Sequence, residues 1–335
     1  MSAAGACDSV RAVETERMTM KERAKSLLAS RPALYRTVSA AYRYLNVLQG
    51  MRYVAKRAPN IMMGARPIVV DYSSVPRSRW GFGTPAQPRL NAIIDRGRAE
   101  YERRLRSFAP LRAAIDAVPD GMPSEGLDAS PEPIWSNSFF SGLDAAALYG
   151  ILATEKPRRY FEIGSGFSTR LARRAVRDQN LPTKLLSIDP APRSAIDFIC
   201  DTVIHQPLEE VDVGLFDQLE AGDILFFDGS HYAFANSDVV VFWMEILPRL
   251  KPGVLVQIHD IFLPYDYPPD WLERYYSEQY LLAVQLMAPA TAVEIVLPNH
   301  FVAHDPALTQ IVDEVIGPRA IGSNASFWLR TRAPG

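Results

Sequence analysis

The C-terminal part of this 335-residue chain reads as an α/β domain built on a doubly wound, mostly parallel sheet. Short, near-continuous apolar runs occur at 160–163, 185–188, 202–205, 224–227, 254–258, 292–297 and 326–329, and helical stretches separate most of them. Strands read this way when helices cover both faces of a parallel sheet. The first run ends in a glycine turn and the second in an aspartate. Those are places where an open α/β sheet receives a ligand, outside the carboxyl ends of its strands.

Taken in order, the chain opens with a basic segment. Eleven Lys or Arg stand against four Asp or Glu in the first 60 residues, a local charge of about +7. Residues 19–57 read as helices, with Leu27, Leu28, Leu34, Tyr35, Val38, Tyr42, Leu45 and Leu48 near helical spacing. Residues 1–58 are therefore expected to form a helical N-terminal extension. It would pack on its own domain or a second subunit as a homo-oligomer, or touch an anionic membrane peripherally. Residues 59–88 are rich in Pro, Gly and Ser and read as loop, with a short strand at 68–72. Residues 88–117 read as one helix, and Pro119, Pro123, Pro131 and Pro133 mark a linker. The expected division is 1–58, then 59–135 as cap and linker, then 136–335 as the α/β domain. Within that domain helices are expected near 141–155, 168–178, 193–199, 237–250, 271–286 and 306–316.

Composition narrows the function. The formal charge is −2, and no basic groove or base-stacking array points to nucleic acid. Cys7 and Cys200 provide neither a disulfide framework nor zinc-finger spacing, so a reducing cytoplasm is the expected compartment. No apolar run reaches the roughly 18 residues needed for a transmembrane helix. The N-terminus lacks the apolar stretch of a signal peptide, and Met18 or Met20 reads as an alternative start.

The residues with chemistry begin at the first turn, Glu162-Ile163-Gly164-Ser165-Gly166-Phe167-Ser168-Thr169. Glycines there let a ligand approach the backbone closely. Asp189 ends the second strand, where an acid can take both hydroxyls of a ribose. The turn lacks the third glycine of G-x-G-x-x-G, so it suits a pyrophosphate less. Glu162 just before it favours a cofactor carrying positive charge.

This segment resembles motif I of class I methyltransferases, in the E-I-G-S-G-x-S-T form of one bacterial methyltransferase-domain family. Residues 137–149, 187–193, 222–231 and 247–268 resemble that family too, so the likeness covers most of 136–300 and extends weakly to 79–88. The resemblance implies S-adenosylmethionine as cofactor. It implies that Gly164, Ser165 and Gly166 line its methionine end, with Glu162, Ser168 and Asp228 also at the cofactor. Asp189 would bind the ribose, and residues 201–205 would bring a third strand near the adenine. It further implies a seven-stranded sheet whose last strand is inserted antiparallel.

The fourth strand ends in Asp228-Gly229-Ser230-His231 and the fifth in His259-Asp260. Three readings stay open for this set. Asp228, His259 and Asp260 would hold a divalent metal that acidifies a substrate hydroxyl. Related small-molecule O-methyltransferases place carboxylates at these strand ends for Mg²⁺, with a second Asp where this chain has His259. Alternatively His231 or His259 is a metal-free general base. In the third reading the acids cap loops and the imidazoles bond to backbone. Because the sulfonium is already activated, the protein has chiefly to align the partners and remove a proton, which favours a neutral hydroxyl as acceptor. The expected function is O-methylation of a small hydroxylated or glycan-type substrate. A nicotinamide oxidoreductase would share the first turn and the acid. A metal-dependent oxygenase or hydrolase would use Asp228 with His231 and His259. A non-catalytic cofactor-binding scaffold would act through the N-terminal helices. The aromatic run 262–271 reads either as a substrate lid presenting Tyr265, Tyr267 and Trp271 or as a packed loop. The run 274–280 would line the same rim, and Arg79, Trp80 and His300 are further residues that would reach the pocket.

Overall fold

The computed structural model describes residues 75–121, 130–192, 195–289 and 291–333. The expected N-terminal helices and the 68–72 strand lie outside them. Residues 76–335 form one compact unit.

The strands form where the apolar runs are: β1 Arg159–Ile163, β2 Lys184–Ile188, β3 Thr202–Ile204, β4 Ile224–Phe227, β5 Leu255–Ile258, β6 Val293–Pro298 and β7 Phe327–Thr331. They make one seven-stranded sheet in the order β3-β2-β1-β4-β5-β7-β6. The first five run parallel, and β7 lies antiparallel between β5 and β6. Every residue of β4 and β5 is buried, as strands covered on both faces must be. Gln257, the one polar residue of β5, donates its side-chain amide to Ser326 at 2.7 Å.

Helices α1 (Pro88–Asp95), α2 (Arg98–Ser107) and α3 (Arg112–Asp116) occupy the segment expected as a single helix. Breaks fall at Gly97, where a β-carbon would strike the Tyr101 hydroxyl at 2.4 Å, and at Pro110 within a short 3₁₀ turn. Leu90, Ile94, Tyr101, Leu105 and Phe108 from these helices are buried in the same core as the sheet. The proline-rich stretch therefore does not divide two cores. Its two ends meet: Trp135 N–H donates to the Pro119 carbonyl at 2.7 Å, and Arg319 reaches the Val118 carbonyl at 2.8 Å.

α4 (Gly142–Glu155) and α5 (Phe167–Asp178) cover the sheet near β1. The helix expected at 237–250 starts as α6 (Asp238–Val241), then widens into a π turn (Phe242–Ile246) and tightens at Leu247–Arg249 around Pro248. α7 (Glu278–Met287) starts seven residues later than expected, because Tyr275 takes a left-handed conformation that breaks the helix. α8 (Asn299–Ala303) follows β6 and was not expected, while α9 (Pro306–Val315) was. The helix expected at 193–199 is absent from its described part, 195–199, which forms a turn held by the Ile196 carbonyl. Among the described residues no helix is long and apolar enough to cross a membrane.

Gly150 on α4 lies against Phe108, whose ring would be 2.4 Å from a β-carbon at that position. Phe108 is fully buried. Gly150→Val is expected to lower the free energy of unfolding by about 1–3 kcal/mol through overpacking. Urea unfolding checks this, and an unchanged midpoint would mean that the helical layer is not anchored at this contact.

Candidate active site

Register builds the site. Ile163 pairs with Ile188 and with Phe227, and Phe227 pairs with Ile258. The next residue of each strand is then Gly164, Asp189, Asp228 and His259. Four chemical positions thus stand in a row at one edge of the sheet, where the strand order reverses around β1.

Gly164 has φ +78°, and a β-carbon there would meet the Asp228 carbonyl oxygen at 1.9 Å. Only glycine fits. The turn is held by Asp189, whose carboxylate accepts from Ser165 N–H at 2.7 Å and from Ala191 N–H at 2.8 Å. Beneath the turn, Ser165 and Ser187 share a short hydroxyl contact, and Ser168 donates to Glu162. Gly166 N–H donates to Thr169 Oγ1 at 2.9 Å, opening α5. Glu162 is fully buried, and that burial raises its carboxyl to about 8 against the hydrogen bonds of Ser168 and Thr169.

A cleft of about 280 Å³ opens beside this turn, lined by Gly164, Asp189, Pro190, Leu208, Asp228 and Gly229 among others. Of the expected cofactor residues, Gly164, Asp189 and Asp228 face it. Glu162, Ser165, Gly166 and Ser168 form the support below and beside it. The third strand does not supply its wall. Pro207, Leu208 and Glu209, just after β3, do so instead. Asp201 lies at the opposite end of β3, held by Lys184, Arg173 and Leu185 N–H.

The second half of the site is a cluster of acids and imidazoles. One ligand atom each from Asp228, His259 and Asp260 lie within 4.8 Å of one another. His259 Nδ1 is 3.5 Å from Asp228 and 3.4 Å from Asp260, and its Nε2 is 3.6 Å from Asp144. These distances exceed hydrogen-bond length, and both nitrogens are buried without a hydrogen-bond partner. His231 faces the same two acids, with Nε2 3.3 Å from Asp260 and 3.5 Å from Asp228. Its Nδ1 is 3.0 Å from Glu278. Burial works against charge on both imidazoles, but the surrounding carboxylates outweigh it. His231 rises to about 9, and His259 moves well above its ordinary range. The set gathered around one point is Asp228, His259 and Asp260. It is not the Asp228, His231 and His259 set of the oxygenase reading.

Two backbone features aim these groups. His231 has φ +64° and Asp260 φ +57°, a conformation uncommon for non-glycine residues and found where surrounding structure enforces it. The His231 carbonyl accepts from the N–H groups of Ser277 and Glu278, and Asp238 closes the turn by accepting from Ser230 N–H at 2.6 Å.

Sequence reasoning missed Asp144 and Glu278, which back the two imidazoles. Asp144 carried a signal, as a lone acid among the apolar residues of a helix. It is fully buried and accepts from Asn299 at 2.7 Å, Ala325 N–H at 2.8 Å and Ser326 N–H at 2.8 Å, and also from Ser323. Glu278 carried none, since glutamate is ordinary in the first turn of a helix.

The aromatic run divides. Phe262 and Tyr267 are buried in a small core of their own, and Tyr265 packs on Phe82, His300 and His304. Tyr265 and Tyr267 therefore do not face the cluster as a lid would. Trp271 does line a second cleft, of about 400 Å³, with Asn137, Phe139, Phe262, Asn324 and Asp260. Arg274 of the expected rim stacks on Trp271 at 4.0 Å. Arg79 and Trp80 are tied through their backbone N–H groups to Asp266, and His300 lines a separate hollow with Tyr265 and His304.

Gly164→Ala forces a β-carbon into the Asp228 carbonyl. The expected result is a lower melting temperature together with loss of ligand binding in the cleft; a thermal melt and a binding titration that both match wild type would show that the β1–β4 contact is loose.

Residues 161–261 match the family model of a methyltransferase domain. An uncharacterized protein of Archaeoglobus fulgidus is 32% identical over 91 residues, which span 25% of this chain and 41% of that protein. Among solved structures, the O-methyltransferase TomG of Streptomyces achromogenes, in complex with SAM, is 14% identical. The alignment covers 74% of this chain and 99% of that one, with a TM-score of 0.34. The SAH-bound methyltransferase PaMTH1 of Podospora anserina is 15% identical, over 76% and 100%, with a TM-score of 0.37. The matched residues run from β1 to just past β5, so this part of the chain, with a seven-stranded sheet whose seventh strand is antiparallel, is similar to a methyltransferase domain.

Proposed function

We propose that this domain transfers the methyl group of S-adenosylmethionine to a hydroxyl oxygen of a small hydroxylated or glycan-type acceptor. The observation that carries the reading is the level register of β1, β2, β4 and β5. It brings the glycine turn, Asp189 and the Asp228, His259 and Asp260 cluster to one edge of the sheet. Asp189 would take the ribose hydroxyls, since each of its oxygens keeps a lone pair after bonding the turn. The backbone of Gly164, Ser165 and Gly166 would follow the methionine end. The acceptor would enter the second cleft, where Asp260 is the one charged lining residue and Phe139 and Trp271 offer ring faces.

In the transfer the acceptor oxygen attacks the methyl carbon. The oxygen–carbon bond forms, and the carbon–sulfur bond breaks with its electron pair returning to sulfur. The hydroxyl proton passes to a carboxylate of the cluster, Asp260 being the one that lines the acceptor's cleft. Alignment across the two clefts is the chief contribution of the protein. Asp228, His259 and Asp260 would hold a divalent metal. Support for this is His259 Nδ1, which faces the carboxylates of Asp228 and Asp260 at 3.5 and 3.4 Å without a hydrogen bond to either. When bound, such a metal would lower the pKa of an acceptor hydroxyl.

Calorimetric titration with S-adenosylmethionine tests the cofactor assignment. Asp189→Ala is expected to weaken binding by at least about 1 kcal/mol, and unchanged affinity would remove Asp189 from the ribose. His259→Ala is expected to leave that affinity alone and abolish turnover; equal activity would take His259 out of the reaction. Trp271→Ala is expected to raise KM for the acceptor several-fold with kcat little changed, and a purely structural tryptophan would not produce that split.

A further inference from the structure

We infer that the Asp228, His259 and Asp260 cluster selects a first-row transition ion over Mg²⁺ and Ca²⁺, with Asp144 as the outer partner that fixes its imidazole. This rests on the metal reading above and adds to it the identity of the ion.

Mg²⁺ and Ca²⁺ take oxygen ligands, whereas imidazole suits Zn²⁺, Fe²⁺ and their neighbours. His259 stands one residue past β5, level with Asp228, so a nitrogen donor is built into the row.

Asp144 lies 3.6 Å from His259 Nε2 and is itself locked by Asn299, Ser323 and two backbone N–H groups. Asp144 does not bond that nitrogen, but its buried charge favours a proton there, so that it is the other nitrogen whose proton an incoming metal displaces. That other nitrogen is Nδ1, which faces Asp228 and Asp260. The arrangement is carboxylate, imidazole, then open gap. His231 repeats it, with Glu278 on Nδ1 and the same two acids before Nε2.

The test uses the full chain, stripped with EDTA and returned to metal-free buffer. Co²⁺ is added and its visible absorption followed, with bound metal counted after dialysis; Zn²⁺, a d¹⁰ ion with no visible band, is counted after dialysis alone. One ion per chain is expected, retained against about a hundredfold excess of Mg²⁺. Displacement by that excess would overturn the selectivity while leaving a metal site in place. Binding of neither ion nor Mg²⁺, in protein that still binds S-adenosylmethionine, would overturn both the selectivity and the metal reading but not the methyl-transfer reading. Asp144→Asn is expected to weaken Co²⁺ binding by about 10–100-fold. Because Asp144 also holds the fold, His259→Asp is the second variant. It makes the set all-oxygen, and its preference is expected to move toward Mg²⁺. An unchanged preference would overturn the inference.

Discussion

The carbonyl oxygen of Asp228 lies 1.9 Å from where a β-carbon on residue 164 would have to go. That contact between the ends of β1 and β4 sets the spacing of the whole site. It places the glycine turn directly beside the acid that begins the second half. It also keeps β1 in step with β2 on one side and with β4 and β5 on the other. Because parallel strands in register end together, one residue past each strand is enough to assemble the row. No long loop has to fold back to bring these groups together, and so little conformational entropy is spent in positioning them.

Electrostatics is the second constraint. Asp144, Glu278 and His259 are buried, and Asp260 and Asp228 sit close by. Burying so many ionisable groups is costly unless each is paired. The arrangement alternates sign: Asp144 lies against His259, His259 against Asp228 and Asp260, those acids against His231, and His231 against Glu278. Each carboxylate supports charge on the neighbouring imidazole, which is why both histidines shift upward despite burial. The outer members are anchored in different parts of the fold. Asp144 ties the start of α4 to the loop before β7, and Glu278 stands in the first turn of α7.

How much could be read beforehand varied by element. All seven strands appear within a residue or two of where the apolar runs lie, most plainly β4 and β5, whose burial at every residue demands a nearly continuous apolar run. Helix ends were less legible. Nothing in the run from 271 onward announces that Tyr275 turns left-handed, and the 88–117 stripe hides the breaks at Gly97 and Pro110. The aromatic run was ambiguous for a physical reason: a ring that packs in a core and a ring that stacks on a ligand have the same chemistry. Tyr267 took the first role, and Trp271 lines a cleft.

By itself the sequence determined the fold class, the glycine turn, and the acids and imidazoles at the strand ends. These depend on local rules: period, burial of whole strands, and the φ that a tight turn demands. Only the tertiary structure decided which of those groups meet. Register brought Asp228, His259 and Asp260 together, and chain-distant packing set Asp144 and Glu278 behind the two histidines. Residues 144 and 259, or 231 and 278, are separated by long stretches of chain. Their approach follows from how helices cover the sheet, which no local pattern encodes.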